Sequence, residues 1–242
     1  MKFTRIFTSG LSHPLEGITF ETRTSQLRNM DGTSGSSEIT LKVPSDWSQM
    51  ASDILAQKYI RKADIPAATR HINEPGIEEW LCPSVPDEII LNSMDEDARF
   101  GWETDARQVF HRIAGCWAYW GVKSGTFDNT QAKIFYDEMV YLLAHQMAAP
   151  NSPQWFNTGL NWAYGISRPQ KGHFRVDPDT HKLEEVYDPY AYPQAHACFI
   201  QSVEDDLCGR DGIMDLWLKE ARLFKFGSGT GSNFSHIRGV DE

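Results

Sequence analysis

Residues 196–238 read "HACFIQSVEDDLCGRDGIMDLWLKEARLFKFGSGTGSNFSHIR". The short apolar run "HACFIQSV" predicts a buried strand, and "GIMDLWLKEARLFKF" predicts a helix with Ile213, Trp217, Ala221 and Phe224 on its inner face. Asp215 and Lys219 stand four residues apart on the outer face, as an ion pair requires. Three glycines at alternate positions follow (Gly227, Gly229, Gly231), then "NFSHIR", a second strand. The order is strand, helix, glycine loop, strand.

That order excludes two familiar glycine loops. A dinucleotide fold puts its glycines between a strand and the N-terminus of the next helix, where the dipole and free N–H groups hold a pyrophosphate. Here they follow a helix C-terminus, G-S-G-T-G misses the third position of G-x-G-x-x-G, and no Gly-Lys-Ser/Thr is present for a P-loop. A helix cap needs one glycine. Three leave either a flexible connection or a backbone that a ligand or another chain approaches closely.

Upstream, residues 22–43 predict a β-hairpin in which Ile39, Leu41 and Val43 alternate with Thr40 and Lys42 around the turn "MDGTSGSS". Pro44 and Ser45 mark the start of a helix carrying Trp47, Met50, Ala51 and Ile54 on one face. Residues 64–101 have no sustained period and predict an irregular connection with short helical turns. Two stronger helices follow. Val109, Ile113, Cys116, Trp117 and Trp120 form the stripe of the first, and Phe135, Met139, Leu142, Leu143 and Met147 that of the second. The second must stop at "AAPNSPQWF", where Pro150 and Pro153 bracket Asn151 and Ser152 in a rigid turn. A further hairpin is expected over 173–187, around "DPDTHK".

The composition limits what such a chain can do. A net charge of −10 and a pI near 5.3 argue against nucleic-acid binding, which needs a clustered basic face. No apolar run is long enough to span a bilayer and the N-terminus lacks a signal-peptide core, so a soluble, cytoplasmic protein is expected. Cys82, Cys116, Cys198 and Cys208 have neither zinc-site spacing nor the density of a disulfide scaffold, so no metal site is expected. Cys82 and Cys116 read as core residues. Cys198, on an apolar strand, reads from its surroundings as a structural thiol or a reactive one.

The segments "RTSQLRN", "SDWSQMASDILAQKYIRKA", "MAAPNSPQWFNTGL", "HACFIQSVEDDL" and "GIMDLWLKEARLFKFGSGTGSNFSHIRG" together resemble the N-terminal part of the adenosylcobalamin-dependent (class II) ribonucleotide reductases, from about residue 22 onward. The resemblance implies an α/β chain in two parts. Residues 1–148 form a mostly helical region with hairpins, and 149–242 form the first strands and helices of an incomplete ten-stranded α/β barrel.

The family replaces the 2′-hydroxyl of a ribonucleotide by hydrogen, using a thiyl radical on one cysteine and a reducing pair of two more. By the resemblance Cys198 is one of the reducing pair, and Ser152, Ala197, Cys198 and Gly229 contact the substrate, Ser152 at its phosphate. Asp205 and Arg238 contact the ribose and phosphates of a deoxynucleotide effector, beside a helix that forms a homodimer. The same resemblance implies a thioredoxin-like reductant and an adenosylcobalamin bound mainly outside this chain. The radical cysteine, the second reducing cysteine and the cobalamin site all lie beyond "RGVDE". This chain alone is therefore expected to be inactive and to need a complementary C-terminal chain. The competing expectation is a non-catalytic nucleotide-binding or dimerisation module.

Overall fold

The computed structural model describes residues 1–27, 37–225 and 227–240. It is a mixed α/β structure in two compact units, one of Met1–Pro150 with Thr158–Ser167, the other of Asn151–Asn157 with Arg168–Glu242. Among the described residues the strands pair into five two-stranded sheets and none closes into a barrel. No helix among them is long and apolar enough to cross a membrane.

In the first unit, β1 (Phe20–Leu27) and β2 (Ser37–Pro44) form the expected antiparallel hairpin, with Arg23 opposite Leu41 and Glu21 opposite Val43. Leu41 and Val43 are buried and Thr40 and Lys42 exposed, as a period of two requires. The expected turn lies outside the described residues.

The next helix departs from expectation. α1 (Gln49–Ile54) starts at Ser48, whose side chain accepts a hydrogen bond from the Ala51 amide at 3.1 Å. Its buried side is Ser52 with Leu55, Ala56 and Ile60, while Met50 and Ile54 face solvent at 73 % and 43 % exposure. Ser52, Leu55 and Ala56 stand at i, i+3 and i+4, an ordinary helical face rotated from the expected one, and a π turn over Leu55–Tyr59 follows it. Arg23 fixes that rotation from β1, donating to Trp47 O and, at 3.2 Å, to Ser52 Oγ.

Residues 64–101 contain more pairing than their sequence suggests. The elements are β3 (Ile65–Pro66), β4 (Thr69–His71), β5 (Ser84–Pro86), α2 (Glu88–Asn92) and β6 (Phe100–Gly101). β3 pairs with β6 and β4 with β5.

α3 (Ala106–Lys123) opens with a capping box made by Asp105 and Gln108, and α4 (Asn129–Ala144) with Asp128 as its cap. Val109, Ile113, Cys116 and Leu143 are buried as expected. Trp117 and Trp120 are half-buried, and Met147 lies past the end of α4, exposed. The chain then leaves this unit for α5 (Ser152–Asn157) and returns for α6 (Leu160–Tyr164), which packs on α3. Gly159 enters α6 at φ +80°, and a Cβ there would sit 2.0 Å from the Arg112 carbonyl oxygen, so only glycine fits.

At the centre of the unit, Arg112 and Glu103 form an ion pair at 2.7 Å with neither side chain exposed. Arg112 also donates to Thr158 O (2.9 Å) and Tyr59 O (3.1 Å). Glu103 accepts from Tyr164 Oη (3.0 Å) and the Arg61 amide (2.7 Å). The N-terminal segment is held by a second buried carboxylate. Glu138 accepts from the amides of Ile6, Phe7 and Thr8 at 2.9–3.2 Å and from Thr8 Oγ1 at 2.6 Å. Burial opposes its charge, but these donors hold its carboxyl below the ordinary value.

In the second unit, Ser152 is the first residue of α5 and not part of a non-helical turn. Pro153 falls in the first turn, where its missing N–H has no partner to lose. The hairpin of β7 (Phe174–Val176) and β8 (Leu183–Glu185) is as expected, and Asp177 accepts the Thr180 amide (2.7 Å) to close its turn. Next come β9 (Cys198–Ser202), α7 (Ile213–Lys225) and β10 (Gly229–Asn233), with β9 and β10 parallel.

Three expectations are corrected in this stretch. β9 is not buried on both sides, because Cys198, Ile200 and Ser202 all face solvent. β10 begins on the glycines and ends where "NFSHIR" begins. On α7, Leu216 is the buried residue, whereas Trp217 and Phe224 are 66 % and 57 % exposed. Together with Met214 and Leu218 they make an uncovered apolar stripe. A short sheet packs against only part of an amphipathic helix, and the more apolar face is left outside. The pair between Asp215 and Lys219 forms at 3.2 Å.

Candidate active site

Cys198 opens β9 with its thiol exposed. In the parallel register Gly229 lies opposite Cys198 and Gly231 opposite Ile200. Neighbouring paired residues project to the same face, so the missing side chains leave that face bare beside the thiol. A Cβ on Gly229 would stand 3.3 Å from Cys198 Sγ and 3.5 Å from Ala197 O, and one on Gly231 would stand 3.0 Å from Ile200 Cδ1. Gly227 has a different task. At φ +85° it terminates α7, with its own amide donating to Phe224 O (3.0 Å) and that of Ser228 to Leu223 O (3.1 Å).

The backbone leading to the thiol is tied at three successive carbonyls. Ala195 O accepts from Asn151 Nδ2 (3.0 Å), His196 O from Ser228 Oγ (2.6 Å) and Ala197 O from the Gly229 amide (2.5 Å). Asn151 immediately precedes Ser152 and also caps α5, its Oδ1 accepting the Gln154 amide at 3.3 Å. The structure thus brings Ala197, Cys198 and Gly229 together directly, and joins the segment of Ser152 to them through Asn151. Asn151 and Ser228 were not singled out from sequence. The available signal was that each directly precedes a candidate contact residue, Ser152 and Gly229.

Asp205 and Arg238 also meet, Arg238 Nε donating to Asp205 Oδ2 at 2.5 Å. Asp205 does not lead a helix. It lies in the loop between β9 and α7, eight positions before α7 begins. The loop's shape is set by the next residue, Asp206, whose carboxylate accepts the Cys208 and Gly209 amides (2.9 and 2.8 Å). These bonds, Gly209 first, lower its pKa. His236 Nδ1 lies 3.3 Å from Oε1 of Glu204, the residue before Asp205.

The remaining cysteines sort by burial. Cys208 is exposed in this loop, whereas Cys82 and Cys116 are buried. Burial pushes the Cys116 thiol far up, which keeps it protonated and unreactive. Among the described residues no three His, Cys, Asp or Glu side chains converge as a metal site would need.

An exposed thiol on a glycine-cleared strand is a specific arrangement, and the comparisons with known proteins match the chain that carries it. Residues 21–146 match the family described as class II vitamin B12-dependent ribonucleotide reductase, and residues 196–242 match the ribonucleotide reductase barrel domain. The chain is 53 % identical over 243 residues to a vitamin B12-dependent ribonucleotide reductase of Bradyrhizobium diazoefficiens and 52 % identical to that of Agrobacterium fabrum. Both alignments cover all of this chain and 19 % of the relative. A third relative, from Rhodopirellula baltica, is 31 % identical over 230 residues, covering 95 % of this chain and 19 % of its own length. The chain thus spans about a fifth of the length of these relatives, and by sequence it belongs to the class II, vitamin B12-dependent ribonucleotide reductase family.

Proposed function

We propose that this chain contributes to ribonucleotide reduction as the N-terminal part of such a reductase, with Cys198 as one of its two reducing thiols. The observation that carries the proposal is the thiol's setting. Cys198 is exposed on a strand whose neighbour presents glycine beside it, so a nucleotide can lie against main chain at Gly229 and Ala197 with its sugar at the sulfur. In the reaction, Cys198 and a second thiol from another part of the full reductase are oxidised to a disulfide. Their two hydrogens and two electrons replace the 2′-hydroxyl with hydrogen and release it as water. Ser152 takes the substrate phosphate in this reading. β9, α7 and β10 are the opening strand–helix–strand segment of the barrel, in line with the barrel-domain match over residues 196–242.

The family name implies a cobalamin. Among the described residues no three His, Cys, Asp or Glu side chains converge on a point, and His173 is engaged with Tyr192 O (2.6 Å), His196 packs against Phe199 and His236 lies 3.3 Å from Glu204, so nothing here gathers around a cobalt centre. The cofactor therefore belongs to other parts of the full protein, and this chain supplies the thiol and the backbone around it. A deoxynucleotide effector is assigned to Asp205 and Arg238, whose charges suit a ribose hydroxyl and a phosphate. Each would exchange its present partner for the ligand. The exposed stripe of Met214, Trp217, Leu218 and Phe224 supports α7 as the surface joining two copies.

The test is ribonucleotide reduction with adenosylcobalamin and a dithiol, by this chain alone and by this chain mixed with the C-terminal remainder of a matching reductase. Turnover only in the mixture, abolished by Cys198→Ser with effector binding intact, is the expected result. Unchanged turnover in Cys198→Ser refutes the assigned role. An associated but inactive mixture favours a non-catalytic dimerisation module.

A further inference from the structure

We infer that Asn151 and Ser228 are positioning residues that hold the Cys198 thiol at a fixed offset from Ser152 and Gly229. The inference rests on the reading of Cys198 as a redox thiol. Residues 195–197 precede β9, and of them only Ala197 is reached by the ladder with β10, through the Gly229 amide. Their three carbonyls are nevertheless each taken by a donor from elsewhere in the unit: Asn151, Ser228 and the Gly229 amide.

Ser228 is only 4 % exposed, and its hydroxyl reaches across 32 residues of sequence instead of bonding to its own turn, the usual habit of serine after a helix. Asn151 uses both ends of its amide. Oδ1 caps the helix that begins at Ser152, while Nδ2 holds Ala195 O. A movement of Ser152 is thereby carried to the peptide planes before the thiol, and Ser228 stops those planes from rotating independently of β10. The thiol and the proposed substrate contacts then share one frame, which is what a reaction between a sulfur and a single sugar carbon requires.

The test uses the reconstituted reductase of the preceding section, with Ser228→Ala, Ser228→Thr and Asn151→Ser. Asn151→Ser retains a capping oxygen for Gln154 but is too short to reach Ala195. A misplacement of about 1 Å at reacting atoms costs on the order of 10²-fold. Ser228→Ala is therefore expected to lower kcat by ~10- to 100-fold with KM changed by less than about threefold, and Ser228→Thr to restore most of the loss. Asn151→Ser is expected to lower kcat with an unaltered thermal midpoint. In both loss-of-contact variants the rate of Cys198 alkylation by iodoacetamide, measured without substrate, should shift.

Wild-type kcat and alkylation rate in folded Ser228→Ala and Asn151→Ser overturn the inference, as does a Ser228→Thr variant impaired like Ser228→Ala. Should Ser228→Ala fail to fold, Asn151→Ser and its alkylation rate decide. Turnover that survives Cys198→Ser is a separate result, removing the redox reading and this inference with it.

Discussion

Replacing Arg112 by leucine tests how the first unit is held together. The substitution strips a fully buried carboxylate of its ion-pair partner and removes the donor seen by Thr158 O and Tyr59 O. Glu103 would retain Tyr164 Oη and the Arg61 amide, two donors for a full charge with no exposure to water. Breaking a buried pair from one side costs about 3–5 kcal/mol, a large share of the ~5–15 kcal/mol that holds a domain together. The double variant Arg112→Leu/Glu103→Leu removes both charges and should recover at least ~1 kcal/mol of that loss, because the uncompensated carboxylate is gone. Urea unfolding of wild type, single and double variants measures both quantities. A single variant within about 1 kcal/mol of wild type, or a double variant worse than the single, refutes the reasoning.

Burial, and next the neighbouring His71, push the pKa of His111 down to about 4, with Tyr136 Oη 2.9 Å from its Nδ1. The unfolded chain binds that proton near pH 6.5 and the folded chain does not. The contribution of this group to stability is thus complete above pH 6.5 and falls by roughly 3 kcal/mol as pH drops from 6.5 to 4, and His111→Gln should flatten that limb of the denaturation midpoint against pH. Gly229→Leu is expected to weaken substrate more than effector in equilibrium binding, and the opposite order would assign β10 to the effector. With α7 as the proposed surface between two copies, wild type is expected to self-associate in sedimentation and Trp217→Glu, on the uncovered face of α7, to stay monomeric with the same helix content. An association constant unaltered by the substitution, or a monomeric wild type, would overturn the proposed role of α7.

The hairpin of β1 and β2 was legible because Leu41 and Val43 mark a period of two, which a one-residue slip would turn to solvent. α3 was legible because its stripe is long. Shorter elements were not. On α1 burial falls on Ser52, Leu55 and Ala56 and not on Met50 and Ile54, and over so few turns periodicity does not fix which of two neighbouring faces turns inward. On α7 the stripe was visible but not its direction, because a helix pattern does not say whether its apolar face meets its own sheet or another chain. The glycines showed that backbone must come close to something. Only the register with β9 showed that the neighbour is Cys198. The hydrogen bonds of Asn151 and Ser228 span 44 and 32 residues, and no local pattern announces such a reach.

The grip of Glu138 on the amides of Ile6, Phe7 and Thr8 sets an order of events during synthesis. Thr8 leaves the ribosome 130 residues ahead of the carboxylate that holds it. At ~5–20 residues per second the wait is roughly 6 to 26 seconds. Through that interval Phe3 and Phe7, which finally pack on Phe135 and Tyr141, are exposed apolar side chains on an unanchored leader. They are within reach of any chaperone that scans emerging chains, and the last turns of α4 are what release them.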